Sequence, residues 1–473
     1  MNIGELLTEL PEDDFAYPGN GEWVRARVGE ILADLSCRPV PAGSLQRLWT
    51  VSELSAQIAL ASFGGWLRKW FSSADNSTRR QMETNLRMAL TIFHRLGYLR
   101  GAMIKLGQTA SHLPGLLPDQ VADTLDRLHF DVPPMHFPLM REVVRNEFGQ
   151  GTEEKFAAFE KEAFAAASLG QVHRARLKSG EAVAVKIQYP GIARTIDADF
   201  RNISALLAPL RLGKDWESVK AQFEEVRRML HQEVDYLQEA RSTRMARELF
   251  RSEDGIVVPR VHDDYSGKRI LTTDYIDGLH LSAFLDTNPS QESRNAFGTR
   301  IYTAWKRMYY AFVPYADPHP GNYLFLRDGS LGLIDFGCVQ HYGPEEREIM
   351  RLADRMTFED PSLMREVVRR VCGVSDDDPA MADYLEMMAE SREWMIEPMK
   401  RPGPFDFGDE AHFRKGLDWF SRTVRKRITR ANPMYVYWNR SVFGIKALLF
   451  RLRAQVDVHE VIRRERPLMK LTD

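Results

Sequence analysis

The chain has 473 residues, with 64 Lys+Arg against 66 Asp+Glu, a formal net charge of −2, 44% hydrophobic and 27% charged residues. That composition is globular and excludes wholesale disorder, while the charge balance removes any whole-molecule electrostatic case for binding nucleic acid. At roughly 150 residues per domain the length suggests about three units, or two lobes and an extension.

The N-terminus, Met1 to Phe15, is acidic and lacks an apolar core, so neither a secretory signal nor an Arg-rich transit peptide is expected. No stretch of about 18 uncharged apolar residues occurs, and no transmembrane helix is expected. Cys37, Cys338 and Cys372 form no CxxC pair, which argues against a disulfide framework or structural zinc and for a reducing, cytoplasmic-type compartment.

Up to Pro41 the chain is polar and broken by Gly and Pro. Helical spacing then predicts helices over about 45–71, 78–105, 119–128 and 137–148, the last stopped by Gly149-Gln150-Gly151. The period changes after Phe164. Residues 171–177 alternate, Lys178-Ser179-Gly180 turns, and 182–187 run apolar, which predicts a β-hairpin. Helices are expected over 192–212 and 216–249, strands near 257–262 and 269–275, and a helix over 291–312. A short hairpin follows (323–326 and 331–335), and everything beyond Pro344 reads as helical to about Arg464. A small strand-rich unit lies between two helical regions.

The strongest local signal is Asp317-Pro318-His319-Pro320-Gly321-Asn322, followed after one hairpin by Asp335-Phe336-Gly337. Phosphoryl transfer needs a carboxylate near the attacking hydroxyl and hard oxygen ligands for Mg²⁺. A catalytic Asp, an Asn five residues later and the Asp of Asp-Phe-Gly after a hairpin supply that set in kinase-type folds. Asp317, Asn322 and Asp335 keep the order and spacing. Tyr315-Ala316 replaces the usual His-Arg, and no Ala-Pro-Glu follows Gly337, so switching by loop phosphorylation is not supported.

Val183-Ala184-Val185-Lys186 ends the second hairpin strand, where a lysine beside nucleotide phosphates would stand. Downstream, Glu233-Val234-Asp235 and Glu239 lie in a helical pattern. Asp235 and Glu239 are expected on one face, with Glu233 elsewhere, so more than one carboxylate is a candidate partner for Lys186. A Gly-rich phosphate loop would precede the hairpin, but the residues are Ala165, Ala166, Ala167, Ser168, Leu169 and Gly170. Alanine Cβ atoms limit close approach to phosphates, so nucleotide cradling must differ from that of an ordinary protein kinase.

Together these residues resemble the UbiB/AarF-domain family of atypical kinase-like proteins, which includes mitochondrial proteins supporting coenzyme Q synthesis. The resemblance spans roughly residues 96–342. It includes Lys105-Leu106-Gly107-Gln108 as the K-x-G-Q motif, the alanine-rich loop from Phe164 with Gly170 to His173, Val183 to Gly191, Glu233-Val234-Asp235 as E-x-D, and the two acidic motifs. It implies an α+β, two-lobed protein-kinase-like fold: a helical extension (1–150), a β-rich N-lobe (151–278) and a helical C-lobe (279–473).

The same resemblance implies that Lys105 reaches the nucleotide site and pairs with Glu233, and that Lys186 pairs with Glu239. Asp317, Asn322 and Asp335 would hold metal or substrate, and the alanine-rich loop would lie on the nucleotide. ATP and Mg²⁺ are the implied cofactors. The implied function is an ATP-dependent atypical kinase or ATPase serving ubiquinone or other isoprenoid-lipid metabolism, with a quinone precursor or lipid as partner and no conventional protein kinase activity. A small-molecule kinase of the aminoglycoside or choline type, and a nucleotide-binding scaffold without turnover, are the alternatives.

Two departures bear on the carry-over. Ser111-His112 stands where many members have an Arg and an Asp, and the basic C-terminus replaces their hydrophobic spans. Contact with a membrane is therefore expected to be peripheral. Arg422, Arg425, Lys426 and Arg430 beside Met434, Tyr435, Tyr437 and Trp438 suit lipid headgroups or a solvated helix over core aromatics; Trp66 and Trp70 around Arg68-Lys69 leave the same choice.

Overall fold

In the computed structural model, the described residues are 137–471, apart from 168, 193–195, 198–226, 229, 316–317, 401–402 and 426–432. The expected helices before 137, Lys105 to Gln108, Ser168 and Asp317 fall outside them.

An amphipathic helix, α1 (Phe137–Phe148), opens the described fold. Strands β1 (Ala158–Phe159), β2 (Ala165–Ala167), β3 (Gly170–Arg176), β4 (Ala182–Gln188) and β6 (Ile270–Asp274) form one antiparallel sheet; β1 and β2 both pair with β3, and β4 runs between β3 and β6. The period-2 alternation of β4 decides what each face does. Val183, Val185 and Ile187 are fully buried and cluster with Met140, Val143 and Val144 of α1. Lys186 and Gln188 consequently face the other side, where α2 (Tyr236–Leu249) packs.

The helical lobe is built on α4 (Gln291–Tyr310), whose Ile301, Trp305 and Met308 lie in one large core. A three-stranded sheet edges it: β5 (Ile256–Val257) runs parallel to β8 (Leu331–Leu333), and β7 (Tyr323–Phe325) antiparallel to β8. Around them lie α3 (Leu281–Asp286), α5 (Pro344–Phe358), α6 (Met364–Cys372), α7 (Met381–Ile396), α8 (Glu410–Arg425), α9 (Pro433–Leu452) and α10 (Val458–Glu465).

Three expectations change. The strand expected near 257–262 ends at Val257, because Pro259 cannot donate to a ladder; beyond it Val261 makes only an isolated bridge to Thr273. Helix continuity fails at Val234-Asp235, where a new helix starts. Past Pro344 the chain is not wholly helical: β9 (Phe405–Asp406) pairs with β10 (Gln455–Val456).

Candidate active site

The site assembles where three elements meet. Lys186 leaves β4 on the α2 side of the sheet, in register with Val172 of β3 and Leu271 of β6. Its ammonium donates to both carboxylate oxygens of Glu239, at 2.8 and 2.9 Å, and to Oδ2 of Asp335 at 3.1 Å. The glutamate is 2% exposed, whereas Asp335 is 37% exposed at the mouth. Burial works against the Lys186 charge, but Asp335 and Glu239 outweigh it and hold the amine well above its ordinary value. Burial raises the Glu239 carboxyl to about 7 although Lys186 opposes it; the two short bonds from the ammonium are those of an ion pair.

Local chain geometry sets these positions. Asp235 caps α2, its side chain accepting from the Gln238 amide at 2.9 Å, which places Glu239 in the first turn near the positive helix end. Asp235 is thus a cap rather than a neighbour of Glu239 on one helix face. The Gln188 amide donates to the Val234 carbonyl at 2.8 Å and ties β4 to the turn before α2. Tyr236, 1% exposed, lies with its ring 5.1 Å from the Lys186 ammonium.

The alanine run is a strand, β2, whose Ala165 pairs with Val172 and Ala167 with Gly170. It occupies the first edge of a hairpin, where a glycine-rich loop would lie, and Ala165 shares a cross-strand row with Val172 and Lys186. Gly170 is required sterically: a Cβ there would stand 2.4 Å from the Ile187 carbonyl oxygen and 2.9 Å from the Tyr236 hydroxyl.

From the other side, Asn322 ends a 3₁₀ turn (Pro320–Asn322) capped by His319, whose Nδ1 accepts from the Gly321 amide at 3.0 Å. The Asn322 carbonyl accepts from the Ile334 amide at 3.2 Å, so Asn322 and Asp335 lie at the same end of the β7–β8 hairpin. Asp335 Oδ1 accepts from the Gly337 amide, and Phe336 is buried with its ring 6.0 Å from that of Tyr315. Asp335 places a carboxylate at the mouth, and Asn322 lies at the same end of the hairpin. That donor set suits a hard cation. No cluster of three or more His, Cys, Asp or Glu forms a metal cage among the described residues, so a cation here would complete its shell with other oxygens.

Lys186, Glu239 and Asp335 are therefore brought together, with Asn322 beside them and Glu233 on the preceding helical segment. Sequence reasoning missed Tyr236, Gln188 and Tyr315. Only Tyr315 carried a signal, as the residue standing where a kinase-type sequence has histidine.

Residues 127–367, just over half of the chain, match the ABC1 atypical kinase-like domain. The chain belongs to this family. An uncharacterised protein of Synechocystis is 33% identical over 52% of this chain and 64% of its own. The zebrafish atypical kinase COQ8B, mitochondrial, is 30% identical over 64% of this chain and 50% of its own. The mouse AarF domain-containing protein kinase 1 is 30% identical over 67% and 61%. The chain thus spans about half to two thirds of these relatives' lengths. Among solved structures, the Mycobacterium tuberculosis protein Rv3197 in complex with erythromycin has a TM-score of 0.51 at 24% identity, covering 85% of this chain and all of that one; this likeness concerns the fold.

Arg422 donates to both Glu390 oxygens at 3.0 and 2.9 Å, Met434 and Tyr437 are 4% exposed, and Trp438 packs on Tyr309. Tyr437 and Trp438 thus pack in the core, while Lys426 and Arg430 and the side chains of Arg425 and Tyr435 lie outside the described residues. No described helix is long and apolar enough to cross a membrane.

Proposed function

We propose that this chain is an ATP- and Mg²⁺-dependent atypical kinase or ATPase that serves ubiquinone or another isoprenoid-lipid pathway and is not a conventional protein kinase. The observation carrying this reading is the Lys186–Glu239–Asp335 triangle, with Asn322 at the same end of the hairpin. Lys186 would meet the nucleotide phosphates, held in place by Glu239, and Asp335 with Asn322 would hold the cation. Bound Mg²⁺ would neutralise charge developing on the phosphates. Asp317, outside the described residues, is the candidate base, and Lys105 with Glu233 the candidate second ion pair over the site. The alanine strand β2, with Ser168 next in sequence, is proposed to cover the nucleotide.

Membership of the ABC1 atypical kinase-like family supports the kinase half of this reading, and the lipid pathway, with peripheral membrane contact of a cytoplasmic protein, is proposed from the sequence resemblance. Titration of the full chain with Mg-ATP is expected to give saturable binding that Asp335→Asn weakens at least about tenfold, the loss of one charged ligand. Unchanged affinity in that variant would overturn the metal assignment. Turnover stimulated by quinone-precursor phenols in liposomes supports the lipid pathway; stoichiometric phosphorylation of a soluble alcohol would replace it with small-molecule kinase activity.

A further inference from the structure

We infer that helix α9 holds the catalytic loop in register: Ser441 and Gly444 are positioning residues, and Tyr315 passes their constraint to Asp335. This inference rests on the proposed phosphotransfer site and adds residues that its motifs do not contain.

Ser441 is 2% exposed and sits between two partners. It accepts from the Trp305 indole of α4 at 2.8 Å and donates to the Tyr315 backbone carbonyl at 2.8 Å. One turn later, Gly444 lies against Pro318 so closely that a Cβ would stand 2.2 Å from the proline Cγ. Residues three apart share a helix face, so one face of α9 touches the chain on both sides of positions 316 and 317. A serine that both accepts and donates fixes Tyr315 in height; a glycine without Cβ lets Pro318 close onto the helix.

The constraint continues to the acidic motif. The Tyr315 hydroxyl donates to the Asp335 carbonyl at 2.8 Å, and its backbone bridges Val339 just beyond Asp-Phe-Gly. The Gln340 amide donates to the Pro314 carbonyl at 3.2 Å. Where kinase-type sequences have His-Arg before the catalytic Asp, this chain therefore has a tyrosine anchored from below by α9. Both sides of the loop are pinned by neutral groups, which fits the absence of that arginine.

Displacing a catalytic group by about 1 Å costs up to ~10²-fold in rate, whereas substrate binding through other residues survives. Ser441→Ala and Gly444→Ala in the full chain are expected to lower ATP turnover at least about tenfold, with Mg-ATP affinity within about twofold of wild type. Ser441→Thr, which retains the hydroxyl, is expected to recover most of the rate, and the Ser441→Ala and Ser441→Thr pair carries the test should Gly444→Ala not fold. Amide exchange over residues 313–326 is expected to quicken in Ser441→Ala and not in Ser441→Thr.

Unchanged turnover and unchanged exchange would overturn the inference. So would a loss of Mg-ATP affinity parallel to the loss of rate, which is a general collapse of the site. A wild-type chain that binds no Mg-ATP defeats the proposed function instead; the exchange comparison then still decides whether α9 holds the loop.

Discussion

His412, at the start of α8, is 4% exposed and lies between two ionisable neighbours. Its Nε2 is 3.1 Å from the Lys446 amine, which burial holds well below its ordinary value, and its Nδ1 faces Glu397 at 3.4 Å, with Trp394 stacked on the ring. Burial lowers the imidazole to about 4; the Lys446 charge acts in the same direction, while Glu397 and Asp409 oppose it. The folded state therefore binds fewer protons than the unfolded one between about 4 and the ordinary histidine value of 6.5. The histidine's contribution to stability is complete above that value and is lost as pH drops through the window, by on the order of 3 kcal/mol. Urea midpoints measured from pH 7 to 4 should show this slope, and His412→Gln should flatten it; an unaltered slope would remove His412 from the account. Nothing in the sequence marked His412, because a lone histidine on a helix acquires its meaning from what packs on it.

At the scale of an element, α2 shows how a local signal can be read correctly in part. The acidic run 233–239 was legible as important, and the pairing of Lys186 with Glu239 is present. The expected shared face of Asp235 and Glu239 is not, since the helix is interrupted and Asp235 lies at its N-cap. Periodicity alone cannot distinguish a continuous helix from two segments in near register, whereas Asp at a cap competes for the first free amides. Asp235→Ala should lower stability by about 1 kcal/mol, and Asp235→Asn should recover most of it. Equal losses in the two variants, read from urea midpoints, would count against the cap. The hairpins were legible because turn residues and alternation coincide there. By contrast, β5 was only half found: its partner β8 is over seventy residues away, and a parallel pairing leaves no local mark.

Across the whole molecule, Arg307 of α4 joins regions far apart in the chain. Its guanidinium binds Glu465 of α10 through Nε at 2.7 Å and Nη2 at 3.0 Å, and Asp254 through Nη2 at 2.9 Å and Nη1. Glu465 is 2% exposed and Asp254 15%. Removing the arginine leaves two enclosed carboxylates without their shared cation. Arg307→Ala should therefore cost about 3–5 kcal/mol, and Arg307→Lys should recover little, because an ammonium cannot reproduce the planar fork. A change below about 1 kcal/mol by chemical denaturation would place this network among surface pairs of little consequence.

The sequence by itself determined the kinase-like class and the four residues that meet or flank the triangle: Lys186, Glu239, Asn322 and Asp335. Their chemistry demands particular residue types at short, fixed spacings, and those spacings survive in one dimension. Only the tertiary structure decided that the helix breaks with Asp235 at a cap, that the alanine run is a strand, and that Ser441 and Gly444 touch the chain on either side of positions 316 and 317. Those outcomes come from packing between segments up to 126 residues apart, where burial and steric fit act without any local pattern to record them.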